Sequence, residues 1–360
     1  RCKLRVLDLH FNGEKFWSVW TGVNETVYSV RRQLVVDLQG MRREPSLEVC
    51  ADLILSQCQD NHFCTYILKW IKKRKGVHLC CKKVTVISLN RENVNTEHLC
   101  VQELDINWMW LPQNHRSCGH LGRMKNLSRL CLNINILCNP LENQDHPITE
   151  FRSEFLQLLY LQQLYLESVS FLQGHLEKLL RSLQTQLEVF SLIDCTVTER
   201  DLAHLFQSPH IRQLKELCLR GIPLTSVSEP LGALLEVNAA TLQDLDLSLC
   251  GLQDPQLEAL LPALSICSQL RSLNLHGNRL SMAILEKLLH CTTGLQHLCL
   301  QLFPAPLESS NPQGVPQSWV RLLCTQISNI LQHLGYSRSI MMSSCHCSHC
   351  ARKEFRNWEP

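Results

Sequence analysis

The sequence carries almost no excess of charge: 35 basic side chains stand against 33 acidic ones in 360 residues. That balance gives no overall field to gather a nucleic acid or an anionic membrane. No apolar run approaches the length of a membrane span. There is no G-x-S-x-G elbow, no G-x-x-x-x-G-K-[ST] phosphate loop and no H-E-x-x-H zinc motif. With 20 Cys and 16 His, chance Cys–His pairs are many, and a pair alone says little about a nucleophile and its base. The expectation is a protein that is not an enzyme, holds no cofactor and meets neither nucleic acid nor membrane directly.

What is present is a repeat. The run LQDLDLSLCGLQDPQLEALL opens with Leu242, Leu245 and Leu247 at L-x-x-L-x-L spacing. Cys250 and Leu252 complete the leucine-rich-repeat consensus L-x-x-L-x-L-x-x-N/C-x-L. Asp254 and Pro255 read as a helix N-cap followed by proline at the first helical position. Leu257, Leu260, Leu261 and Leu264 then lie on one helical face. Each unit is a short strand, a turn and a helix, and one unit cannot bury its own leucines. Copies begin at Leu161, Leu187, Leu214, Leu242, Leu270 and Leu295, spaced 25 to 28 residues apart. The expected fold class is α/β: a leucine-rich-repeat horseshoe, or solenoid, of the ribonuclease-inhibitor-like kind. Its parallel strands line the concave face and its helices the convex one.

The cysteines do not make the framework of a small disulfide-rich secreted domain. Cys195 and Cys250 take the N/C slot, where a small polar group can bond backbone at the strand-to-loop turn. Cys131, Cys218 and Cys299 share one strand position. They read as small residues of a reduced intracellular protein, cytoplasmic with the nucleus as a second compartment.

The chain begins at Arg1 inside a repeat strand, with Leu4, Leu7, Leu9 and Asn12 in register. A repeat array needs a polar cap at its end, so a natural start upstream of Arg1 is expected. Residues 1–100 read as irregular N-terminal repeats with an inserted loop and helix. Within them, Phe16 to Gly22 is an aromatic cluster under the first turn, residues 23–46 an exposed insertion and Leu47 to Gly76 a helix. Lys72, Lys73, Arg74 and Lys75 end that helix. The run suits a nuclear-import or nucleic-acid patch, but the reading preferred is a basic helix C-terminus closed by Gly76. VHLCCKKVTVISL reads as one irregular repeat. Residues 101–303 are the regular array, with a polar loop between Cys138 and Pro147. Residues 304–344 are a proline-interrupted capping segment with a last helix from Ser318 to Leu334, and 345–360 a Cys/His tail.

Taken in order, KLRVLDLHFNGEKFWSVWTG, the HLCCKK block, LQDPQLEALLPALSICSQL, FPAPLES and the terminal CSHC…EP resemble the PRAME family of leucine-rich-repeat proteins, over essentially the whole chain. The resemblance implies a non-catalytic protein-binding adaptor. Its first form is the substrate-recognition subunit of a cullin-RING ubiquitin ligase, reaching Elongin and cullin through a segment upstream of Arg1. Effects on transcriptional repression, proliferation and apoptosis would follow. Its alternative is a germline-expressed transcriptional repressor or scaffold without ligase coupling. A ribonuclease-inhibitor-like binder of an enzyme shares the fold by analogy alone.

Three motifs compete with plainer readings. Four L-x-x-L-L strings start at Leu176, Leu231, Leu257 and Leu285. Exposed, such a string docks on nuclear receptors; in a repeat helix its leucines face the strands, which is the reading preferred. Where the family has a receptor-binding string proposed in its C-terminal helix, this chain reads ISNILQHLG, with Ile327 and Ile330 in place of leucines. Cys345, Cys347 and Cys350, interleaved with His346 and His349, are the weak metal candidates. Cys347-x-x-Cys350 has metal-hairpin spacing, but a structural zinc site wants four ligands and no second knuckle follows. A flexible reduced tail is expected.

Strand residues between the consensus leucines point onto the concave surface. Read off the pattern, they are Val6, Asp8 and His10; Glu103, Asp105 and Asn107; Arg129, Cys131 and Asn133; and Gln163, Tyr165 and Glu167. The regular array adds Val189, Ser191 and Ile193; Glu216, Cys218 and Arg220; Asp244, Asp246 and Ser248; Ser272, Asn274 and His276; and His297, Cys299 and Gln301. Seven are acidic and two are arginine. Glu103, Asp105, Tyr165, Glu167, Glu216, Arg220, Asp244 and Asp246 are the candidate protein-binding residues. The acidic bias suits a basic partner segment and equally suits a face that is merely kept soluble.

Overall fold

In an L-x-x-L-x-L strand alternate side chains face opposite ways, so the leucines share one face. The computed structural model places them there: Leu245, Leu247, Leu273 and Leu275 are all buried in one continuous core. The structure describes residues 6–8, 47–55, 70, 73, 77–87, 100–110, 124, 126–136, 155–170, 172–309, 325, 328–333, 340–343 and 355–358. The aromatic cluster at Phe16, the insertion at 23–46, the basic run apart from Lys73, the 138–147 loop, and Cys345, Cys347 and Cys350 lie outside the described residues.

The strands in chain order are β1 Val6–Asp8, β2 Leu47–Cys50, β3 Leu53–Leu55, β4 Val77–Cys80, β5 Lys83–Val86, β6 Glu103–Trp110, β7 Arg129–Ile136, β8 Gln163–Glu167, β9 Val189–Ile193, β10 Glu216–Cys218, β11 Asp244–Asp246, β12 Ser272–Asn274, β13 Leu300–Phe303, β14 Ile340–Ser343 and β15 Phe355–Trp358. The helices are α1 Leu176–Leu180, α2 Glu199–Gln207, α3 Ser228–Val237, α4 Asp254–Ser265 and α5 Met282–Thr292. Among the described residues the strands form a 12-stranded sheet running from β3 through β5 in order to β15, and a 3-stranded sheet β1-β2-β4. Neighbours are parallel, as strand–helix–strand units require, until β15 pairs antiparallel with β14. The architecture is a leucine-rich-repeat solenoid.

The L-x-x-L-L leucines serve this core. Leu176, Leu179, Leu180, Leu231, Leu234, Leu235, Leu257, Leu260, Leu285, Leu288 and Leu289 are buried, and only Leu261 is half-buried. In the C-terminal string Leu331 is fully buried and Ile330 packs against the core.

The N/C slot works as its chemistry suggests. Asn278 accepts from the Cys250 and Leu252 N–H groups at 3.1 and 3.0 Å. Its amide donates to the Leu247 and Leu275 carbonyls, each at 2.8 Å. One side chain thus satisfies four buried backbone groups across two repeats, which would otherwise carry the cost of buried polar atoms. Cys250 donates to the Leu219 carbonyl at 2.9 Å and Cys195 to the Leu166 carbonyl at 3.3 Å. Burial pushes the Cys195 thiol up to about 11 and the Cys250 thiol well above its ordinary value.

Acidic side chains tie the helix starts together. Thr198 and Asp201 form a capping box on α2. Asp201 also accepts from Gly174 and Leu176 N–H at 2.7 and 3.2 Å, bracing α1. Asp254 is not the N-cap of α4. Gln253 is, in a box with Gln256. Asp254 instead accepts from the Ser281 N–H at 2.8 Å, at the start of α5.

Four further readings are corrected. Leu47 to Gly76 does not begin as a helix, because Leu47–Cys50 and Leu53–Leu55 are strands whose short alternation puts Val49 and Leu53 into the core. Val6 and Asp8 do not join the rows of the long sheet, because β1 pairs with β2 in the small sheet. Ala51 and Cys81 sit buried at a corner, and β4 and β5 belong to different sheets. The tail beyond residue 345 is not all flexible, since Phe355–Trp358 forms β15. Finally, the last regular repeat starts at Leu298, not Leu295. Leu273 pairs with Gln301 and Asn274 with Leu302. That register restores a 28-residue pitch from Leu270. It places Leu300 and Leu302, not His297, Cys299 and Gln301, at the strand positions facing the concave side.

Candidate protein-binding face

Parallel in-register pairing turns equivalent strand positions into rows across the sheet. One row runs Lys83, Glu103, Arg129, Gln163, Val189, Glu216, Asp244, Ser272 and Leu300. The next runs Thr85, Asp105, Cys131, Tyr165, Ser191, Cys218, Asp246, Asn274 and Leu302. Glu167 pairs with Ile193 in a third row, and Arg220 follows β10 half-buried, its carbonyl accepting from the Asp194 N–H at 2.9 Å. Seven of the eight candidate residues therefore lie on the strand face opposite the leucines, and Arg220 stands in the turn after β10. None of the eight is fully exposed.

Their chemistry divides the face into two parts. On the N-terminal part, Lys83 Nζ lies 2.8 Å from Asp105 Oδ2. The Arg129 guanidinium stands 4.6 Å above the Tyr165 ring, within cation–π range. The acids Glu103 and Asp105 thus have Lys83 and Arg129 beside them, and this half is close to neutral.

The C-terminal part is acidic. Glu216 and Asp244 are Cα partners on adjacent strands, and neither has a salt bridge among the described residues. Burial raises the Glu216 carboxyl above its ordinary value; Asp244 and Asp246 raise it further, and Arg129 works against them. Burial likewise raises Asp244, an effect that Arg271 partly offsets. Asp246 is spoken for within the fold: its Oδ1 accepts from the Ser248 N–H and its Oδ2 from the Asn274 amide, both at 2.8 Å. It shapes the strand end while adding charge.

Among the described residues, three buried polar atoms of this surface have no hydrogen-bond partner: Asp105 Oδ1, Arg129 Nε and Arg220 Nε. Orphaned buried groups cost stability. The acidic strand positions were legible in the repeat pattern, whereas Lys83 was missed. Its strand, KVTV, departs from L-x-x-L-x-L, and only its pairing with Glu103 shows that it belongs to the face.

A second cluster lies on the small sheet. The ligating atoms of Glu48, Cys50 and Cys80 lie within 4.8 Å of one another. Among the described residues no helix is long and apolar enough to cross a membrane, and no cysteine is in a disulfide.

The chain matches the PRAME C-terminal domain over residues 47–360. It is 42% identical over 374 residues to PRAME family member 12 of Homo sapiens, covering 100% of this chain and 77% of that protein. PRAME family member 7 of Homo sapiens is 41% identical, over 99% of this chain and 78% of its own length. Among solved structures, an internalin from Listeria monocytogenes aligns at 16% identity and TM-score 0.29, covering 63% of this chain and 65% of its own.

Proposed function

This chain belongs to the PRAME family, and we propose that it is a non-catalytic adaptor that binds a protein on its concave face, serving as the substrate-recognition subunit of a cullin-RING ubiquitin ligase. One observation carries the binding half of this reading. Half-buried carboxylates at Glu216 and Asp244, raised by burial and only partly offset by Arg129 and Arg271, lie side by side on this surface. A partner segment bearing a Lys or Arg opposite Glu216 and Asp244 would offset the charge that burial disfavours there. Complementary fields of that kind govern encounter and choice of partner. Transfer of ubiquitin would be the work of the other subunits, and effects on transcription, proliferation and apoptosis would follow from the identity of the bound protein. The adaptor would act in the cytoplasm and nucleus.

Ligase coupling is tested by affinity purification of the full-length protein followed by immunodetection of Elongin and cullin. Co-purification in stoichiometric amount is expected. Its absence, with concave-face binding intact, leaves a germline repressor or scaffold without ligase coupling. Binding itself is tested with the pair Glu216→Lys and Asp244→Lys, which is expected to abolish partner capture while the circular dichroism spectrum is kept. Asp246 is left alone because its carboxylate shapes the strand end.

A further inference from the structure

The small sheet carries a group of metal-ligating side chains that the binding reading does not use. Cys50 and Cys80 are Cα partners on the adjacent parallel strands β2 and β4. Glu48 lies two residues before Cys50 and His78 two before Cys80, and these two are also partners. Because strand side chains alternate, all four share one face. The opposite face is the core, where Val49 and Leu79 are buried. Glu48 and His78 are exposed and the two cysteines half-buried, so the group is open to solvent and to an incoming ion. Cys100 occupies the equivalent position of the next repeat, since Leu104 pairs with Val84.

We propose that Glu48, Cys50 and Cys80 form a Zn²⁺ site that staples two successive repeats on the small sheet. The donor atoms of the three lie within 4.8 Å of one another. Tetrahedral zinc with bonds of about 2.3 Å to sulfur sets its ligands about 3.8 Å apart, so the side chains need to close by only about 1 Å. Two thiolates and a carboxylate neutralise the ion with one negative charge to spare, and the fourth position is left to His78, Cys100 or water. The donor set is soft enough to favour zinc over magnesium or calcium.

Stacked repeats bring like residues together by construction, so adjacency of two cysteines alone is weak. The N/C-slot cysteines show the difference. Cys195 and Cys250 are buried and spend their S–H on carbonyls within the fold. Cys50 and Cys80 are half-buried on the open strand face, where the Cys80 thiol is hydrogen-bonded to the Glu48 side chain instead of to a carbonyl.

The test uses the whole chain, prepared without oxygen, in a background in which Cys345, Cys347 and Cys350 are serine so that the tail contributes no thiolate. Co²⁺ is titrated in, followed by Zn²⁺. One equivalent of Co²⁺ with sulfur-to-cobalt charge-transfer absorption and the intense visible bands of tetrahedral coordination is expected, displaced by Zn²⁺. Cys50→Ser with Cys80→Ser should remove that equivalent, Glu48→Gln should weaken it, and Cys131→Ser should leave it unchanged. Circular dichroism confirms that each variant is folded. Uptake that persists in the Cys50/Cys80 variant overturns the site, and so does a parent that takes up no cobalt. Recovery of Cys50 and Cys80 as a disulfide from protein kept reduced and zinc-replete would also overturn it, in favour of a covalent staple.

Discussion

Gln301 pairs in register with Leu273 and is completely buried, so the last regular repeat holds a glutamine in its second leucine slot. Phe303 fills the third slot of that repeat. Leu300, between them and the open side, is 41% exposed although the letters LQHLCL make it look like a core leucine. Phe303→Ala should therefore cost about 3–5 kcal/mol, while Leu300→Ala should stay within about 0.5 kcal/mol of the parent. Urea midpoints of the two variants measure this directly; equal losses would restore the register starting at Leu295.

In the regular array Leu245 is 1% exposed. Leu245→Ala should destabilise the fold by about 2–5 kcal/mol, the cost of lost burial plus a cavity. An unchanged thermal midpoint would contradict the placement of this leucine.

Asn278 holds four backbone groups. Asn278→Ala leaves them without it in a dry turn, and a loss of about 3 kcal/mol is expected from buried groups left unsatisfied. Hydrogen exchange should show the Cys250 and Leu252 amides speeding up more than those of α5. Uniform acceleration would mean that Asn278 acts only through global stability.

Glu216 and Asp244 have carboxyl groups raised above their ordinary values, chiefly by burial. A group with a higher pKa in the folded chain binds more protons there than when unfolded. Stability is therefore lost as pH rises from the ordinary carboxylate range through the raised values, and the penalty is full at neutral pH. Glu216→Gln with Asp244→Asn should relieve it, by up to about 0.5 kcal/mol at pH 7 since both groups are partly solvated. The gain should vanish in acid below the ordinary range. A pair of denaturation curves, one at neutral and one at acid pH, checks the sign, and a double variant less stable than the parent at pH 7 would reverse it.

Thiol reactivity should follow burial. Cys100 and Cys299 are exposed, whereas Cys195, Cys250 and Cys267 are buried. Burial pushes the Cys267 thiol up to about 11. Since only the thiolate attacks, alkylation of the folded chain should, among the described cysteines, label Cys100 and Cys299 first and reach the buried three only on unfolding. Peptide mapping after a brief pulse reads the order.

The repeat pattern made most of this molecule legible. From Leu161 onward leucine spacing, the N/C slot and helix faces agreed, and such agreement across levels is what specifies a fold. It misled where two patterns overlap. Around Leu298 the letters satisfy two registers three residues apart, and the constant pitch of the stack decides for the one that buries a glutamine. It also failed at Leu47–Leu55, where strands this short, meeting at a corner, have no periodicity distinct from a helix's. The acidic strand positions could be read from alternation alone. The compensation of Asp105 by Lys83, and the commitment of Asp246 to the strand end, could not, because both depend on neighbours a full repeat away.

The reversal of direction at β15 bears on self-association. Every other described strand of the long sheet pairs parallel with its neighbours, and a solenoid of identical parallel rungs invites a second copy to add its own first rung to the last. β15 takes up the free edge of β14 and runs the other way. A copy arriving there meets a ladder of the opposite polarity. Trimming Phe355 to Trp358 would bare the β14 edge to parallel pairing without touching a single consensus leucine.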